Sequence, residues 1–238
     1  MMIIPNAVAR ALRAVPCECF LPARIWIQET DEGPYEAIDR VTEPQRWMRA
    51  VYVGDHAIVT QFDDGATQWP DRSWRPSCSA SQPSVVAGML EALDIEPGQR
   101  VLEVGTGTGY NAALLAEIVG SQGHVLTVQV DGHLVSAARQ NLADTGYQDR
   151  VEVLRADGAT TLTATGSVDR VIATAEVRFQ SILPAQPMRQ PSIGRRTRAS
   201  RRKDPGTHPL GNHRNGDPKL TRGLHVTRRR RDGARRDD

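Results

Sequence analysis

Val101-Leu102-Glu103-Val104-Gly105-Thr106-Gly107-Thr108-Gly109-Tyr110 is a short apolar run that ends in three glycines at alternate positions. The run from Arg100 to Val104 predicts a buried strand, and the apolar stretch after Gly109 predicts a helix over 110–119. Between them, residues without a Cβ let backbone approach a ligand where a side chain would collide. The helix that follows aims its first N–H groups at the same place. The pattern is not quite the dinucleotide fingerprint, because the third glycine comes one residue early and Glu103 stands two residues before the first. No Gly-Lys-Ser/Thr follows, which excludes a P-loop. A tight strand-to-helix turn holding no ligand is the structural alternative.

The pattern repeats on both sides of this loop. Upstream, Ser81-Gln82-Pro83 opens a helix with proline in its first turn. Its apolar residues Val85, Val86, Met89, Leu90 and Leu93 recur at helical spacing, and Glu96-Pro97-Gly98 is a turn. Downstream, residues 124–130 predict a second strand. Leu134, Ala137, Ala138, Asn141 and Leu142 then lie on a helix that Gly146 stops. Residues 151–156 and 167–175 predict a third and a fourth strand. Strands alternating with helices of this length mean an α/β fold with a parallel sheet and right-handed crossovers.

Three segments follow: 1–76, 77–178 and 179–238. The first is an α+β extension. Asn6 caps a helix over 7–14 that Pro16 ends; 25–28, 50–53 and 57–62 read as strands or turns; Asp63-Asp64-Gly65 is a turn. The second holds the sheet. The third has 16 Lys+Arg against 5 acids, one aromatic residue, six Pro and six Gly, and no persistent period. It has too few large apolar groups to offset the entropy of ordering, so it reads as a disordered basic tail. Its net +11 hides a net −9 over residues 1–178, and together they give the chain its formal +2.

No apolar run approaches the roughly 20 residues that span a bilayer, and the N-terminus lacks the pattern of a signal peptide. Three cysteines, Cys17, Cys19 and Cys78, are too few for a disulfide framework and have no metal-ligand spacing with the histidines. A cytoplasmic protein with no metal and no membrane partner is expected.

Glu-x-Gly-x-Gly-x-Gly after a strand resembles motif I of class I S-adenosylmethionine methyltransferases. The longer string, Ser81-Gln82-Pro83, then the 102–120 segment, Asp157-Gly158 and residues 169–175, resembles the protein-L-isoaspartate O-methyltransferases, notably their actinobacterial members. Val15-Pro16 with Phe20-Leu21-Pro22 also resembles that family. The likeness is weak over 6–76, strong over 77–178 and absent beyond. It implies a Rossmann-like sheet, S-adenosylmethionine as cofactor, and methylation of the carboxylate of L-isoaspartyl residues in damaged proteins. The ester then lets a backbone nitrogen close a succinimide, whose hydrolysis restores some aspartate. By the same resemblance, Glu103, Gly105, Thr106, Gly107 and Gly109 cradle the methionine part of the cofactor. Gln129, where the family has Glu, faces the ribose, with Asp131 near enough to compensate. Asp157 and Gly158 meet the adenine edge, and Ser81 orients the acceptor, with Ser79 matching the threonine two residues before it. A helix cap is the alternative for Ser81, and a turn acid is the alternative for Asp157.

Two departures shape the alternatives. Gln129 replaces a carboxylate, and only four strands are legible where the family fold has seven. The latter predicts an open apolar edge at Val171-Ile172-Ala173 and a tail that is an out-of-frame or truncated C-terminus, or else a basic segment touching nucleic-acid phosphates non-specifically. The other functions are an aspartate methyltransferase that tailors a ribosomally made peptide, and a non-catalytic truncated remnant. The acceptor is a protein or peptide bearing isoaspartate or aspartate in either enzymatic case.

Overall fold

A computed structural model describes residues 6–30, 33–158, 167–175 and 225–228. Helix α1 (Asn6–Ala14) turns Val8 and Ala11 inward, and Pro16 breaks it and opens a 3-10 turn at Cys17–Phe20. Strands β1 (Arg24–Ile27) and β2 (Glu36–Asp39) pair antiparallel. Helix α2 (Pro44–Tyr52) then leads to β3 (Ile58–Phe62), a turn at Asp63–Gly65 and β4 (Pro76–Ala80). The four strands form one antiparallel sheet in the order β2-β1-β3-β4.

Residues 50–53, expected as strand or turn, belong to α2 and the residue after it. Pro44 sits in the first turn, and Trp47, Ala50 and Val51 are buried on one helical face. That spacing outweighs the β-branched residues at 51 and 53, whose strand preference depends on context.

The second sheet begins after α3 (Pro83–Leu93) with β5 (Arg100–Val104), α4 (Tyr110–Val119), β6 (His124–Gln129), α5 (Gly132–Asp144), β7 (Val151–Arg155) and β8 (Arg170–Ala173). Elements β5, α4, β6 and β7 match their expected bounds to within one residue, and β8 is shorter than the expected 167–175. Strands β5 to β8 are parallel, and the order is β7-β6-β5-β8-β9, where β9 is His225–Arg228.

Alternation along the strands makes two cores. Val101, Val125, Val151, Val153 and Ile172 face α1, α3, α4 and α5, while Leu102, Val104, Leu126, Val128 and Ala173 line the opposite face. Helix α4 is apolar nearly all round, and Ala112 through Ala116 are fully buried; such a helix belongs inside a core. Burying each of Leu114 and Leu115 contributes about 1.5–3 kcal/mol.

Strand β9 corrects the expectation of an open edge. It pairs antiparallel with β8, Ala173 opposite His225 and Arg170 opposite Arg228. The physical reason is the one that makes an open edge hazardous: its unpaired N–H and C=O groups recruit a further strand. Val226 and Thr227 supply the β-branched residues. These four residues belong to the segment 179–238, the rest of which lies outside the described residues.

Candidate functional site

The C-terminal ends of β5, β6, β7 and β8 lie in one row. The chain leaves β5 for β6 and β7 on one side and returns to β8 on the other. Such a reversal of strand order opens a crevice beyond the strand ends. The glycine loop occupies it. Gly105 N and Thr106 N both donate to Val128 O, at 2.9 and 3.3 Å, and the Thr174 hydroxyl donates to Gly105 O at 2.6 Å. The loop is therefore tied to both neighbours of β5. Gly105, Gly107 and Gly109 all have positive φ, at 103°, 53° and 89°.

Register explains Glu103. It stands directly across from Thr127 in the parallel pair β5–β6, and both point to the helix-covered face. Glu103 has no exposed surface. Thr127 donates to its Oε2 at 2.6 Å, Asn111 Nδ2 donates to its Oε1 at 2.7 Å, and the Thr106 and Thr127 hydroxyls are 2.7 Å apart. Burial pushes the carboxyl up to about 7, with the bonds from Thr127 and Asn111 acting the other way. Glu103 thus sits beneath the loop and fastens it to β6 and to the first turn of α4. Neither Asn111 nor Thr127 stood out in the sequence. A polar residue at the inward phase of His-Val-Leu-Thr-Val-Gln was the available signal.

Gln129 ends β6. Its side-chain oxygen accepts from the N–H groups of Val130 and Asp131, at 2.8 and 3.4 Å. Ala156 N donates to Gln129 O at 3.1 Å, which brings the end of β7 beside it. Asp157 follows, exposed, and Gly158 is buried: a Cβ there would lie 2.5 Å from Val104 Cγ1.

Both oxygens of Asp131 accept hydrogen bonds. One oxygen caps α5 through His133 N and Leu134 N, and the other accepts from Gln61 Nε2 at 3.0 Å. Burial alone would raise its carboxyl, but the bonds from Gln61 and the two backbone groups hold it below the usual range. Three hydrogen bonds thus already engage the Asp131 carboxylate.

Ser81 arrives from the other sheet. A Cβ at Gly107 would lie 3.6 Å from Cys78 Sγ and 4.0 Å from Ser79 O, so β4 passes across the glycine loop. Ser79 is exposed on that strand, and Ser81 follows it, half-buried. Ser81 is not the cap of α3. Gln82 holds that position, and the orphan N–H of Ser84 is satisfied by Asp55 Oδ1 at 2.9 Å, while Asp55 Oδ2 accepts from Gln82 Nε2. These bonds hold the Asp55 carboxyl below its usual range. Asp55 lies 29 residues upstream of Ser84 and gave no local signal. Asp55→Ala should cost about 1 kcal/mol, the usual worth of a cap. A thermal melt should fall by roughly 2–4 °C, and an unchanged midpoint would mean that water caps the helix equally well.

Among the described residues no group of three His, Cys, Asp or Glu side chains has the geometry to hold a metal ion, and no helix is long and apolar enough to cross a membrane.

Residues 49–190 match the family model of protein-L-isoaspartate(D-aspartate) O-methyltransferase. The protein-L-isoaspartate O-methyltransferase of Methanothermobacter thermautotrophicus is 42% identical over 114 residues, covering 48% of this chain and 51% of the relative. That of Korarchaeum cryptofilum is 46% identical over 102 residues, covering 40% and 46%. A solved protein-L-isoaspartate O-methyltransferase superposes with a TM-score of 0.53 at 26% identity, covering 73% of this chain and 44% of that one. The chain spans about half the length of the curated relatives it matches. The matched segment contains the glycine loop, the ends of β6 and β7, and Ser81. The chain belongs to the protein-L-isoaspartate(D-aspartate) O-methyltransferase family.

Proposed function

We propose that the chain is an S-adenosylmethionine-dependent carboxyl O-methyltransferase that acts on isoaspartyl residues of proteins. The observation that carries this is the crossing of β4 over the glycine loop, which puts Ser79–Ser81 beside the crevice at the strand ends. Positive φ at Gly105, Gly107 and Gly109 gives the loop a path that side chains rarely adopt, so it presents bare backbone to a ligand in the crevice. When bound, the cofactor supplies an electrophilic methyl group on a sulfonium.

The chain's own residues bind and orient. Loop N–H groups after Gly105 and the start of α4 hold the methionine part, with Gly107 and Gly109 giving the backbone its path and Thr106 and Glu103 bracing it from beneath. Gln129 meets the ribose, and Asp157 with Gly158 the adenine edge. Ser81 orients the acceptor carboxylate, which has a pKa of about 4 and is ionised at neutral pH. No general base is required, and the protein's contribution is alignment, worth up to about 7–11 kcal/mol in favourable cases. The free thiols of Cys17, Cys19 and Cys78 support a reducing, cytoplasmic setting.

Gln129→Glu tests the cofactor assignment. Gln129 turns its one side-chain acceptor to the backbone. A glutamate keeps one oxygen on the backbone and offers the other to ribose hydroxyls, and charged acceptors make bonds about twice as strong. Calorimetric titration with S-adenosylmethionine should show binding about tenfold tighter. Equal or weaker affinity would remove Gln129 from the cofactor site.

A further inference from the structure

We propose that Gln61 is a positioning residue that couples the cofactor end of β6 to the loop carrying the acceptor-side strand. The inference rests on the proposed function for the identity of the two sides. Its evidence is a chain of polar contacts that no part of that reading uses.

The ladder between β3 and β4 is irregular at one place. Val59 pairs with Ser79, Gln61 with Cys78 and Phe62 with Pro76, so the register shifts on both sides of Gln61. A shift of this kind re-aims a side chain. Here it delivers Gln61 Nε2 to Asp131 Oδ2, 70 residues away in sequence and on the other sheet. The opposite end of the same amide accepts from Ser77 Oγ at 2.9 Å, and Ser77 Oγ in turn accepts from Asp64 N at 2.9 Å. A Cβ at Gly65 would lie 3.3 Å from Gln61 Nε2, so the turn closes over the amide. Every polar atom of the Gln61 side chain is thereby engaged with a group on a different segment.

Asp131 is the cap of α5, two residues beyond Gln129. Whatever fixes the β6–α5 turn also fixes Asp131, then Gln61, then Ser77 and the backbone of Asp64. The loop thus restrained, 63–75, runs directly into β4 and so into Ser79 and Ser81, and it bears Trp74, which is 88% exposed. Arg75 pairs with Asp64 within the loop; His133 and Cys78 are titratable groups near Asp131, and the Arg155 guanidinium lies beside Gly132 and donates to Val130 O. A ligand that orders the β6 end must therefore order the acceptor loop, and by linkage the acceptor must affect the cofactor equally.

Two measurements on the full chain test this. Hydrogen exchange needs no ligand: in Gln61→Leu the amides of 63–65, 77 and 78 should exchange about tenfold faster than in the wild type, the worth of a lost bond to a charged group, with β5 and α4 unchanged. In Gln61→Glu the same acceleration should appear at neutral pH, where two carboxylates face each other, and fade relative to wild type as the new acid is protonated. Steady-state methylation of an isoaspartyl peptide should show KM for the peptide raised about tenfold in Gln61→Leu, with kcat within twofold. A merely structural role would lower kcat through loss of active protein and leave KM alone. Exchange rates identical in wild type and Gln61→Leu would overturn the relay. A wild-type chain that transfers no methyl would overturn the proposed function instead, and the exchange comparison would still decide the relay.

Discussion

Gly105→Ala should abolish cofactor binding and cost about 3–5 kcal/mol of stability, through two effects that add. Gly105 has φ of 103°, where side chains are rarely accommodated. A Cβ there would also lie 2.7 Å from Ala175 Cβ, 2.9 Å from Ala175 N and 2.9 Å from Thr174 Oγ1. Two of these neighbours are backbone or a methyl fixed to it, so relief requires the end of β8 to withdraw, which breaks the Thr174 bond to Gly105 O. Gly120→Ala is the control. Gly120 also has positive φ, 69°, with ψ of −168°, but nothing lies within 4 Å of its would-be Cβ, so only the conformational cost of about 1–3 kcal/mol remains. Urea unfolding and titration with S-adenosylmethionine of both variants measure the difference. Equal effects at the two positions would mean that the approach of β8 to the loop has no energetic consequence.

Glu103→Gln should abolish a pH dependence of stability that the wild type shows between about pH 4.5 and 7. The buried carboxyl titrates near 7 in the folded chain against 4.5 in the unfolded chain. Below 4.5 both states are protonated and the full stability is present. As pH rises through this window the unfolded state ionises first, so folding loses stability, and the loss levels off above 7. The shift corresponds to about 3 kcal/mol. Glutamine can satisfy the same partners, its oxygen accepting from Asn111 and its nitrogen donating to a rotated Thr127 hydroxyl. Glu103→Leu cannot; it strands both partners and should cost about 3–5 kcal/mol near pH 4.5, where the wild type has its full stability, a deficit that narrows as pH rises towards 7. Denaturation at a series of pH values reads both effects. A wild type and a Glu103→Gln variant with parallel profiles would show that Glu103 is not the buried acid described.

Legibility followed locality. Strand β5, the glycine loop and α4 are contiguous, so period and glycine spacing reveal them together. So do β6, α5 and β7, whose alternation and helical repeats are intact. In the N-terminal sheet β1 and β3 carry β-branched and aromatic residues and were visible. Strand β4, Pro-Ser-Cys-Ser-Ala, carries no such signal and is a strand because β3 pairs with it and the glycine loop packs on it. Helix α2 was hidden because Val51 and Val53 favour strands locally, whereas the burial of Trp47, Ala50 and Val51 is a tertiary effect. The site divides in the same way. The loop, Gln129 and Asp157 lie in readable motifs. Asn111 and Thr127 beneath Glu103, Asp55 at the start of α3 and Gln61 at Asp131 act across 8 to 70 residues of chain, and no local pattern records such a pairing.

The central claim is that this crevice transfers a methyl group to a polypeptide carboxylate. The most direct measurement is to incubate the full chain with methyl-labelled S-adenosylmethionine and a pair of synthetic peptides that differ only in carrying isoaspartate or aspartate at one position. Label is expected on the isoaspartyl peptide, released as methanol on mild base treatment as a carboxyl ester requires, and none on its aspartyl twin. Label on the aspartyl peptide alone would move the activity to peptide tailoring. Label on neither peptide, at concentrations where the cofactor binds, would contradict the claim.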